Sequence, residues 1–459
     1  MHNYYQRIFL VSVIGLISVT GCLSKKAINV TGSNKQVETV DSKKYQTEIE
    51  RIKYYRNIIE STLPFKQVIW DATTSGEKIR NLTLWQDSLY VETKKLKLRA
   101  YTTDIGHPQW VIGLENLIDF PLCAIKDLPQ KEIRAKERLK NLRQQLEDAE
   151  NENQRDEAKI KNLHEQIRGT EQLLRGMITN DLLYYICDGI LYCADRRLGK
   201  ELWRKKLDFI PNGSPVATLT TVYIKALEFN RLYLFDLASR FERDWIKVKN
   251  PIMTQPVYED PAIYFACDDG VVYAFNAETG KDIWEYHAER SIKADLLIEG
   301  DIIYVGSNDF ALYAIDRHAG ALRWKYETGF PITLPAAIGM RRFLREKEVI
   351  VEKTLFFKTD REENFYALLL KPLTVFPPYE LRWKFPGGKK FLTYGFASVY
   401  VLGNDNQTLY ALDIEKGTIL NKYSLQNFPF RAVDADQQIL YLGTSDGYIF
   451  AVREPPPQW

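Results

Sequence analysis

The sequence is poor in the residues from which most metal sites and nucleophilic active sites are built. It contains five cysteines and five histidines in 459 residues. It has no adjacent cysteine pair, no Gly-x-Ser-x-Gly, no phosphate-binding glycine loop and no His-Glu-x-x-His. Its 62 Lys and Arg residues are balanced by 60 Asp and Glu residues, so neither a nucleic-acid binder nor an acidic cation-binding protein is indicated. These absences predict a protein that is not an enzyme and that uses no cofactor or metal.

The start of the sequence lacks an apolar segment long enough to cross a membrane. The run Ile8–Val19 has about twelve residues, whereas a spanning helix needs about 20, and its length is typical of a signal-peptide core. It leads into Val19-Thr20-Gly21-Cys22, which resembles the lipobox of bacterial lipoproteins. The resemblance implies a lipid on Cys22, and Leu23 in place of Asp implies sorting to the periplasmic side of the outer membrane.

Four cysteines remain after Cys22, and we expect them to be small buried side chains in strands. They are Cys123, Cys187, Cys193 and Cys267. Two of them flank the turn Asp188-Gly189, and pairing across a two-residue turn would place Cys187 opposite Ile190 and Cys193 opposite Tyr184. A disulfide between these two cysteines is therefore not expected.

What the sequence does contain is a sequence repeat with a period of about 40 residues. Around Tyr264 it reads AIYFACDDGVVYAFNAETGKDIWEY, and around Tyr304 it reads IIYVGSNDFALYAIDRHAGALRWKY. Each copy predicts two strands, a tight turn ending in Gly, and a Trp four residues later. The aromatics of the second strand recur at Tyr192, Tyr233, Tyr273, Tyr313, Tyr366, Tyr410 and Phe450, with spacings of 41, 40, 40, 53, 44 and 40 residues. Such a period, with four short strands per copy, is typical of a propeller blade.

A divergent copy precedes these seven and makes eight. It has Arg99-Ala100 in the Tyr-Ala position, and Trp110 follows Gly106. The predicted fold class is all-β, an eight-bladed β-propeller, with seven blades as the alternative. The segment near Trp70 is expected to complete the last blade beside the C-terminal strand, because pairing the chain ends removes an open sheet edge.

The repeated residues have structural explanations. An Asp four residues before the Gly can accept hydrogen bonds from the turn backbone, the Gly permits a positive φ, and the Trp buries a large ring whose N–H needs a partner. A ring of acidic metal ligands is the competing explanation for the Asp, and turn capping is the one we favour. The predicted structural residues are Trp110, Trp203, Trp284, Trp324, Gly199, Gly280, Gly320 and Gly417.

One segment interrupts the repeat and predicts a different structure. Residues 130–176 are highly charged, contain no Pro, and carry two sets of apolar residues at helical spacing. We expect an antiparallel α-helical hairpin, or coiled coil, projecting from one end of the propeller. Its narrow apolar stripe either docks a partner helix or belongs to a solvated decoration. The candidate partner-binding residues are Leu142, Leu146, Leu163 and Ile167.

The sequence therefore divides into five predicted parts. They are a lipoprotein signal peptide (1–21), a polar tether (22–62), the start of the propeller (63–128), the helical hairpin (129–177) and the rest of the propeller (178–459). The tether is expected to contain a short helix over residues 45–62.

The repeated pattern Ala-x-Asp-x-x-x-Gly-x-x-x-Trp is similar to the tryptophan-docking repeat of pyrroloquinoline-quinone (PQQ)-type propellers. With the lipobox, it resembles the outer-membrane β-barrel assembly factor B (BamB) family. The resemblance implies a non-catalytic scaffold lipoprotein that binds envelope proteins, with the outer-membrane barrel-assembly machinery as the candidate partner, and that uses no cofactor, nucleic acid or small-molecule substrate. The alternative is a PQQ-dependent (quinoprotein) dehydrogenase or a ligand-binding propeller, since quinoprotein dehydrogenases share this fold.

Overall fold

The chain folds into eight four-stranded sheets. The computed structural model describes residues 42–455, except 86, 127–141, 144, 147–159, 161–162, 166, 169–180, 219, 229, 237–241, 346–347 and 362–363. Cys22 lies outside the described residues. Helix α1, Ser42–Thr62, begins slightly before the helix expected at 45–62. The strands form one compact unit within residues 52–459. The eight-bladed prediction is confirmed, and the seven-bladed alternative is wrong.

The first strand after α1 is β1, Gln67–Thr73, and blades 1 to 4 follow it in chain order. Blade 1 contains β2 Ile79–Trp85, β3 Ser88–Thr93, β4 Lys97–Thr102 and β5 Pro108–Gly113; blade 2 contains β6 Cys123–Lys126, β7 Asp181–Cys187, β8 Ile190–Asp195 and β9 Lys200–Lys206; blade 3 contains β10 Val216–Ala217, β11 Thr221–Lys225, β12 Arg231–Asp236 and β13 Glu242–Lys247; blade 4 contains β14 Val257–Glu259, β15 Ala262–Ala266, β16 Val271–Asn276 and β17 Asp282–His287.

Blades 5 to 8 continue the same order, except that the last blade takes its fourth strand from the start of the chain. Blade 5 contains β18 Leu297–Glu299, β19 Ile302–Gly306, β20 Ala311–Asp316 and β21 Leu322–Glu327; blade 6 contains β22 Ala337–Arg345, β23 Glu348–Lys358, β24 Asn364–Leu370 and β25 Tyr379–Pro386; blade 7 contains β26 Gly388–Tyr394, β27 Ser398–Gly403, β28 Thr408–Asp413 and β29 Ile419–Ser424; blade 8 contains β30 Phe430–Asp434, β31 Ile439–Gly443, β32 Tyr448–Arg453 and β1.

The closure of the disc is the pairing of β1 with β32. The two strands are antiparallel, with Asp71 opposite Phe450 and Trp70 opposite Ala451. This confirms the expected completion of the last blade by the segment near Trp70. Because the first and last strands share one sheet, neither chain end leaves an unpaired blade.

The two faces of the disc carry different turns. The first strand of each blade lies nearest the axis, because first strands of neighbouring blades approach one another, as β22 does to β26. Successive strands of a blade are antiparallel, so turns between first and second strands share a face with turns between third and fourth strands. We call this the upper face. The turns between second and third strands lie on the lower face.

The tryptophans join neighbouring blades as predicted. The indole N–H groups of Trp110, Trp284 and Trp383 donate to backbone carbonyl oxygens of the next blade's tight turn, at 2.7–3.0 Å. Trp70 makes the equivalent bond to Thr103 across the closure, at 2.8 Å. Each bond satisfies the polar atom of a ring that is otherwise buried between two sheets.

The turn glycines lie directly beneath these rings. Gly320 has a φ of +66°, and a Cβ added there would be 2.6 Å from the Trp284 ring. Gly199 and Gly417 meet Trp110 and Trp383 in the same way. Two demands therefore select glycine: a left-handed backbone and the absence of a side chain.

The turn carboxylates cap backbone N–H groups and are not brought together. Asp195, Asp316 and Asp413 each accept hydrogen bonds from two backbone N–H groups of their own turn, at 2.7–2.9 Å. Those of Asp316 help to lower its pKa, although burial opposes them. Turn capping is thus confirmed as their role.

Blade 3 departs from the pattern by one residue. Trp245 lies opposite Tyr233, whereas Trp284 of blade 4 lies opposite an Ala. A one-residue shift moves a strand side chain to the other face of its sheet. Trp245 is consequently 45% exposed, with the Arg231 guanidinium 4.8 Å from its ring centroid. Gly280 of the next blade therefore faces Leu234 and no Trp ring.

For the remaining two predicted tryptophans, Trp203 and Trp324, the structure describes ring packing. It describes no hydrogen bond from their indole N–H to a tight turn of the next blade. Trp203 lies near Tyr184, with ring centroids 6.1 Å apart, and the turn that it would reach is at residues 237–241, outside the described residues. Trp324 packs on Tyr379, with centroids 4.8 Å apart. There the tight turn of blade 6 is replaced by the loop 371–378.

The four described cysteines are buried, and none of them forms a disulfide. Cys187 lies opposite Ile190 and Cys193 opposite Tyr184, which is the expected register. Burial raises the pKa of the Cys267 thiol to about 12, so it is protonated at neutral pH. The cysteines are small core residues with no sign of a reactive thiol.

Helix α1 covers part of blades 7 and 8. Ile59 is fully buried in a cluster that includes Leu409 and Phe450. The Tyr55 hydroxyl donates to Asp446 at 3.0 Å, and Asp446 belongs to a lower-face turn. No helix in the part of the chain that the structure describes is both long and apolar enough to cross a membrane.

Candidate interaction surface

The predicted helical hairpin leaves the upper face of blade 2, because it connects β6 to β7. Its described residues, 142–143, 145–146, 160, 163–165 and 167–168, are helical. Leu142 and Leu163 are 6% and 7% exposed and form one apolar cluster with Leu146, Ile160 and Ile167. We call these five residues the arm core and the segment 127–180 the arm.

The arm core brings the candidate partner-binding residues together. All four, Leu142, Leu146, Leu163 and Ile167, belong to it. The apolar side chains of the hairpin therefore pack against one another in the part that the structure describes. Their role in binding a partner stays a prediction. The exposed residues beside them are polar or charged, including His164, Glu165 and Arg168, so contact with the outside of the arm would be polar here.

A buried ion cluster holds the root of the arm. Asp181 is the first residue of β7, and its carboxylate pairs with Arg196, which is 4% exposed. The same guanidinium bonds Asp87 at 2.6 Å in the upper-face turn of blade 1. Burial would lower the pKa of Arg196, but its hydrogen bonds to Asp181 and Asp87 raise it. The end of the arm is therefore tied to two blades.

A second projection rises from blade 6. Strands β22 and β23 have 9 and 11 residues, whereas β24 pairs with β23 only from Lys353 to Lys358. The parts beyond that, residues 341–345 and 348–352, pair as a two-stranded ribbon extending past the rest of the blade. Arg341 lies opposite Glu352, and Arg345 lies opposite Glu348. We call residues 341–352 the ribbon.

Charged residues fix one side of the ribbon to its own blade and the next. Arg382, whose side chain is 7% exposed, lies 3.0 Å from Glu352 and 3.7 Å from Glu415 of blade 7. Arg341 lies 3.3 Å from Glu415 as well. On the opposite side, Lys353 at the ribbon's root pairs with Glu299 of blade 5 at 2.5 Å. A charge network of this kind orients the ribbon more firmly than one exposed pair would.

The loop 371–378 presents apolar side chains at the root of the ribbon. It leaves β24 at Leu370, opposite Lys353. Two backbone hydrogen bonds, Lys371 N to Pro378 O and Val375 N to Pro372 O, are both 2.9 Å and tie it into a compact shape. Phe376 nevertheless is 92% exposed, and Leu373 is 54% exposed. A large apolar side chain held in water is typical of a binding surface.

The arm and the ribbon lie on one face and on opposite sides of the axis. Both connect a first strand to a second strand, so both belong to the upper face. Blades 2 and 6 are separated by three blades in either direction around a ring of eight. The upper face therefore carries the roots of two projections, one on blade 2 and one on blade 6.

The sequence reasoning missed the ribbon and the exposed loop. The signal was the spacing of 53 residues between Tyr313 and Tyr366, followed by 44 to Tyr410. Both exceed the period of 40, and the excess lies in the two upper-face connections of blade 6. The spacing alone shows that blade 6 has more residues than the repeat requires. The strand pairing shows which connections contain them.

Two charged groups that line a cavity beside blade 1, Arg80 and Glu92, pair with each other. The cavity has a volume of about 210 Å³ and lies between blade 1 and residues 118–122. Arg80 pairs with Glu92 and donates to Ile118 O at 3.2 Å, while Glu92 accepts from Ile118 N at 3.2 Å. Within the described ranges, no group of three or more His, Cys, Asp or Glu side chains is placed to hold a metal ion.

Comparison with known proteins agrees with this architecture. A family model described as outer membrane protein assembly factor BamB matches residues 187–337. The crystal structure of BamB from Moraxella catarrhalis is similar with a TM-score of 0.55 at 13% identity, covering 86% of this chain and 99% of that chain. The chain shares the β-propeller fold of that structure.

A curated protein that is similar to part of the chain is an enzyme. The quinohemoprotein alcohol dehydrogenase ADH IIB of Pseudomonas putida is 27% identical over 106 residues, which are 21% of this chain and 15% of that enzyme. The family-model match runs from the end of β7 to the start of β22. The arm and the ribbon both lie outside it, so they are features that the matched repeats do not include.

Proposed function

We propose that this propeller is a non-catalytic scaffold, anchored by a lipid on the periplasmic side of the outer membrane, that binds envelope proteins during β-barrel protein assembly. The observation that carries the proposal is the upper face, which has two projections held at their roots by ion pairs and the exposed side chain of Phe376. The match of residues 187–337 to the BamB family model supports the choice of partner class.

The geometry suits binding better than chemistry. The buried carboxylates at the roots of the two projections are paired with Arg196 and Arg382, so they are positioned to orient the backbone. The exposed side chains at the ribbon and the loop 371–378 include the apolar groups of Val349, Leu373 and Phe376. Such a surface supplies contact area and orientation for a protein partner.

The first test identifies the partners. The full-length chain, tagged at its C-terminus, is crosslinked in intact cells and purified from the membrane fraction. We expect outer-membrane barrel-assembly proteins or barrel proteins themselves among the captured chains. Capture of no envelope protein, at a crosslinker dose that traps a known envelope complex in the same cells, would overturn the proposal.

The anchor is tested separately by Cys22→Ser. The acyl chains would supply the membrane affinity, at about 0.8 kcal/mol per buried CH₂, so the variant should move to the soluble periplasmic fraction. Cys193→Ala is the matched control, since Cys193 is a buried core cysteine. If the Ser variant stays with salt-washed outer membranes, the lipid assignment is wrong or a protein partner retains it.

The dehydrogenase alternative rests on the Pseudomonas putida relative. A bound quinone and its calcium ion need a cluster of carboxylate and amide oxygens, and the described residues offer no such acidic group around the cavity or elsewhere. The residues present therefore do not fit that cofactor. Incubation of the purified chain with calcium and PQQ tests the point, because a stoichiometric quinone absorbance band after gel filtration would favour the enzyme.

A further inference from the structure

The ribbon has a strand edge that no other described strand covers. β24 pairs with β23 from Lys353 onward, so Glu348–Glu352 has a strand partner only on the β22 side. In an antiparallel strand, the backbone N–H and C=O groups of alternate residues point to each side. The outward groups of Glu348–Glu352 are thus available for another strand.

This edge differs from the open outer edge of blade 2. The outer strand β9, KELWRKK, exposes Lys, Glu and Arg side chains along its length, and such charges discourage strand addition. The edge of the ribbon reads Glu-Val-Ile-Val-Glu, with no Lys and no Pro. Val349 and Val351 point to the same side of the ribbon and are 66% and 48% exposed. An exposed β-branched edge of this kind is a template for a further strand.

The edge is also held in position before any partner arrives. Glu352 is fixed by Arg382 at 3.0 Å, and Lys353 by Glu299. The ribbon is held in place by its own blade and both neighbouring blades. Binding of a further strand would therefore cost the conformational entropy of that strand but not of the ribbon. The loop 371–378 begins after Leu370, which lies opposite Lys353, and its exposed Phe376 is a further apolar group on the same face.

We propose that Glu348–Glu352 is a docking edge at which an extended segment of a partner protein, with alternating apolar side chains, adds as a third strand of the ribbon. Main-chain hydrogen bonds would hold the segment, and Val349, Val351 and Phe376 would select apolar residues at alternate positions. This inference deepens the proposed scaffold function and rests on it, because it names the form in which a partner protein is bound.

The test uses the full-length chain in detergent and a fluorescent peptide in which Val and Thr alternate. We expect a rise in fluorescence anisotropy on binding and slower hydrogen exchange at the backbone amides of residues 348–352. Val349→Lys with Val351→Lys should weaken binding at least about tenfold. Ile419→Lys with Leu420→Lys, on the exposed outer strand β29, is the matched control and should keep the wild-type affinity.

A second probe leaves the protein unchanged. The same peptide with a methyl group on every backbone nitrogen has no main-chain donor on either edge, so its affinity should fall by a similar factor. Equal binding of both peptides, or protection that falls only outside residues 341–352, would overturn the docking edge. A concentration-dependent dimer that protects the same amides and excludes the peptide would overturn it too, since a second copy would then be the occupant.

The docking edge and the scaffold function can fail separately. If the Val349 and Val351 variant still captures the same envelope proteins in cells, the edge is refuted and the scaffold stands. If the wild-type chain captures none, the scaffold proposal itself fails. Thermal unfolding of each variant confirms that the disc remains folded during the comparison.

Discussion

Single residues that depart from the repeat have local causes. Arg99 stands where other blades have Tyr, and its guanidinium lies 3.2 Å from the carboxylate of Glu77, a residue that is 5% exposed. Lys97 lies 2.6 Å from the other oxygen of that carboxylate. Glu77 belongs to the connection that follows the closing strand β1. The divergent residue of blade 1 is therefore part of the closure of the disc.

The first prediction at this scale concerns Glu77. Burial alone would raise the pKa of its carboxyl, but hydrogen bonds from Lys97 and Arg99 outweigh burial and lower it. A lowered folded-state pKa contributes stability that is present above the unfolded-state pKa and is lost as the pH falls through the folded value. Glu77→Gln should cost about 2 kcal/mol at neutral pH and should flatten this acid dependence of the unfolding free energy.

Denaturant unfolding between neutral pH and pH 3 measures this effect. The control is Glu380→Gln, whose carboxylate pairs with Lys371 at 2.7 Å but is 57% exposed. Water screens an exposed pair, so this variant should lose less than about 1 kcal/mol. Equal losses in both variants would show that the buried cluster adds nothing to closure.

The second residue-scale prediction concerns the turn glycines. Gly320→Ala places a methyl group against the Trp284 ring and also requires a positive φ, whereas Gly300→Ala, at φ +57°, meets no atom within 4 Å. The second variant should cost about 1 kcal/mol for its backbone alone, and the first should cost about 2 kcal/mol more for the clash. Urea unfolding compares them. A similar loss for both would mean that the ring moves aside freely.

At the scale of elements, the arm should be separable from the propeller. Its ends join β6 and β7, which pair directly from Cys123 opposite Tyr184 to Lys126 opposite Asp181. Replacing residues 130–176 with a short Gly-Ser loop should leave thermal unfolding cooperative and its midpoint within a few degrees of wild type, because the arm core packs on itself. Differential scanning calorimetry measures this, and loss of the transition would contradict it.

The arm core also determines how docking by the arm should be tested. Leu142→Glu and Leu163→Glu place charges in a cluster that is nearly fully buried, so they should unfold the arm and lose the same captured partners as the loop replacement. Glu165→Lys with Arg168→Glu changes only exposed charges and should alter partner capture while the arm stays helical. If all three variants keep every partner, the arm is a decoration and the binding lies elsewhere on the upper face.

The strands that match the sequence repeat could be predicted from the sequence. The strands that depart from the repeat, in blade 3 and in the ribbon, could not. Hairpin register was predictable at Cys187 opposite Ile190 because a two-residue turn permits one pairing. The shift of Trp245 could not be predicted. A register shift of one residue leaves a Trp near its expected position in the sequence but turns its side chain to the other face of the sheet. The ribbon was not predicted either, because its Val and Ile residues look like an ordinary strand, and only the missing pairing partner marks them as exposed.

At the scale of the whole molecule, stability depends on ring closure. Each blade buries its faces only against its neighbours, and the blade 8 cluster extends from Trp70 to Tyr441 and on to Leu89 of blade 1. Removing one blade therefore exposes two faces and opens the ring.

Deletion of residues 437–459 tests this dependence. The deletion removes β31 and β32 and leaves β1 without a partner, so the far-ultraviolet circular dichroism transition of the entire disc should be lost or shifted down as one event. The chain with the arm replaced serves as a control for removing residues without opening the ring. A truncated protein that keeps the wild-type melting transition would show that the blades are independent.

The central claim, that the upper face binds envelope proteins, is tested most directly by site-specific photocrosslinking in intact cells. A benzoylphenylalanine is placed at Phe376 on the upper face or at Leu227, which is 58% exposed in a lower-face turn. The account predicts crosslinks to outer-membrane barrel or barrel-assembly proteins from position 376, with at most background from position 227. Specific crosslinks from position 227 alone, or none from either position while both proteins remain folded and membrane-bound, would contradict it.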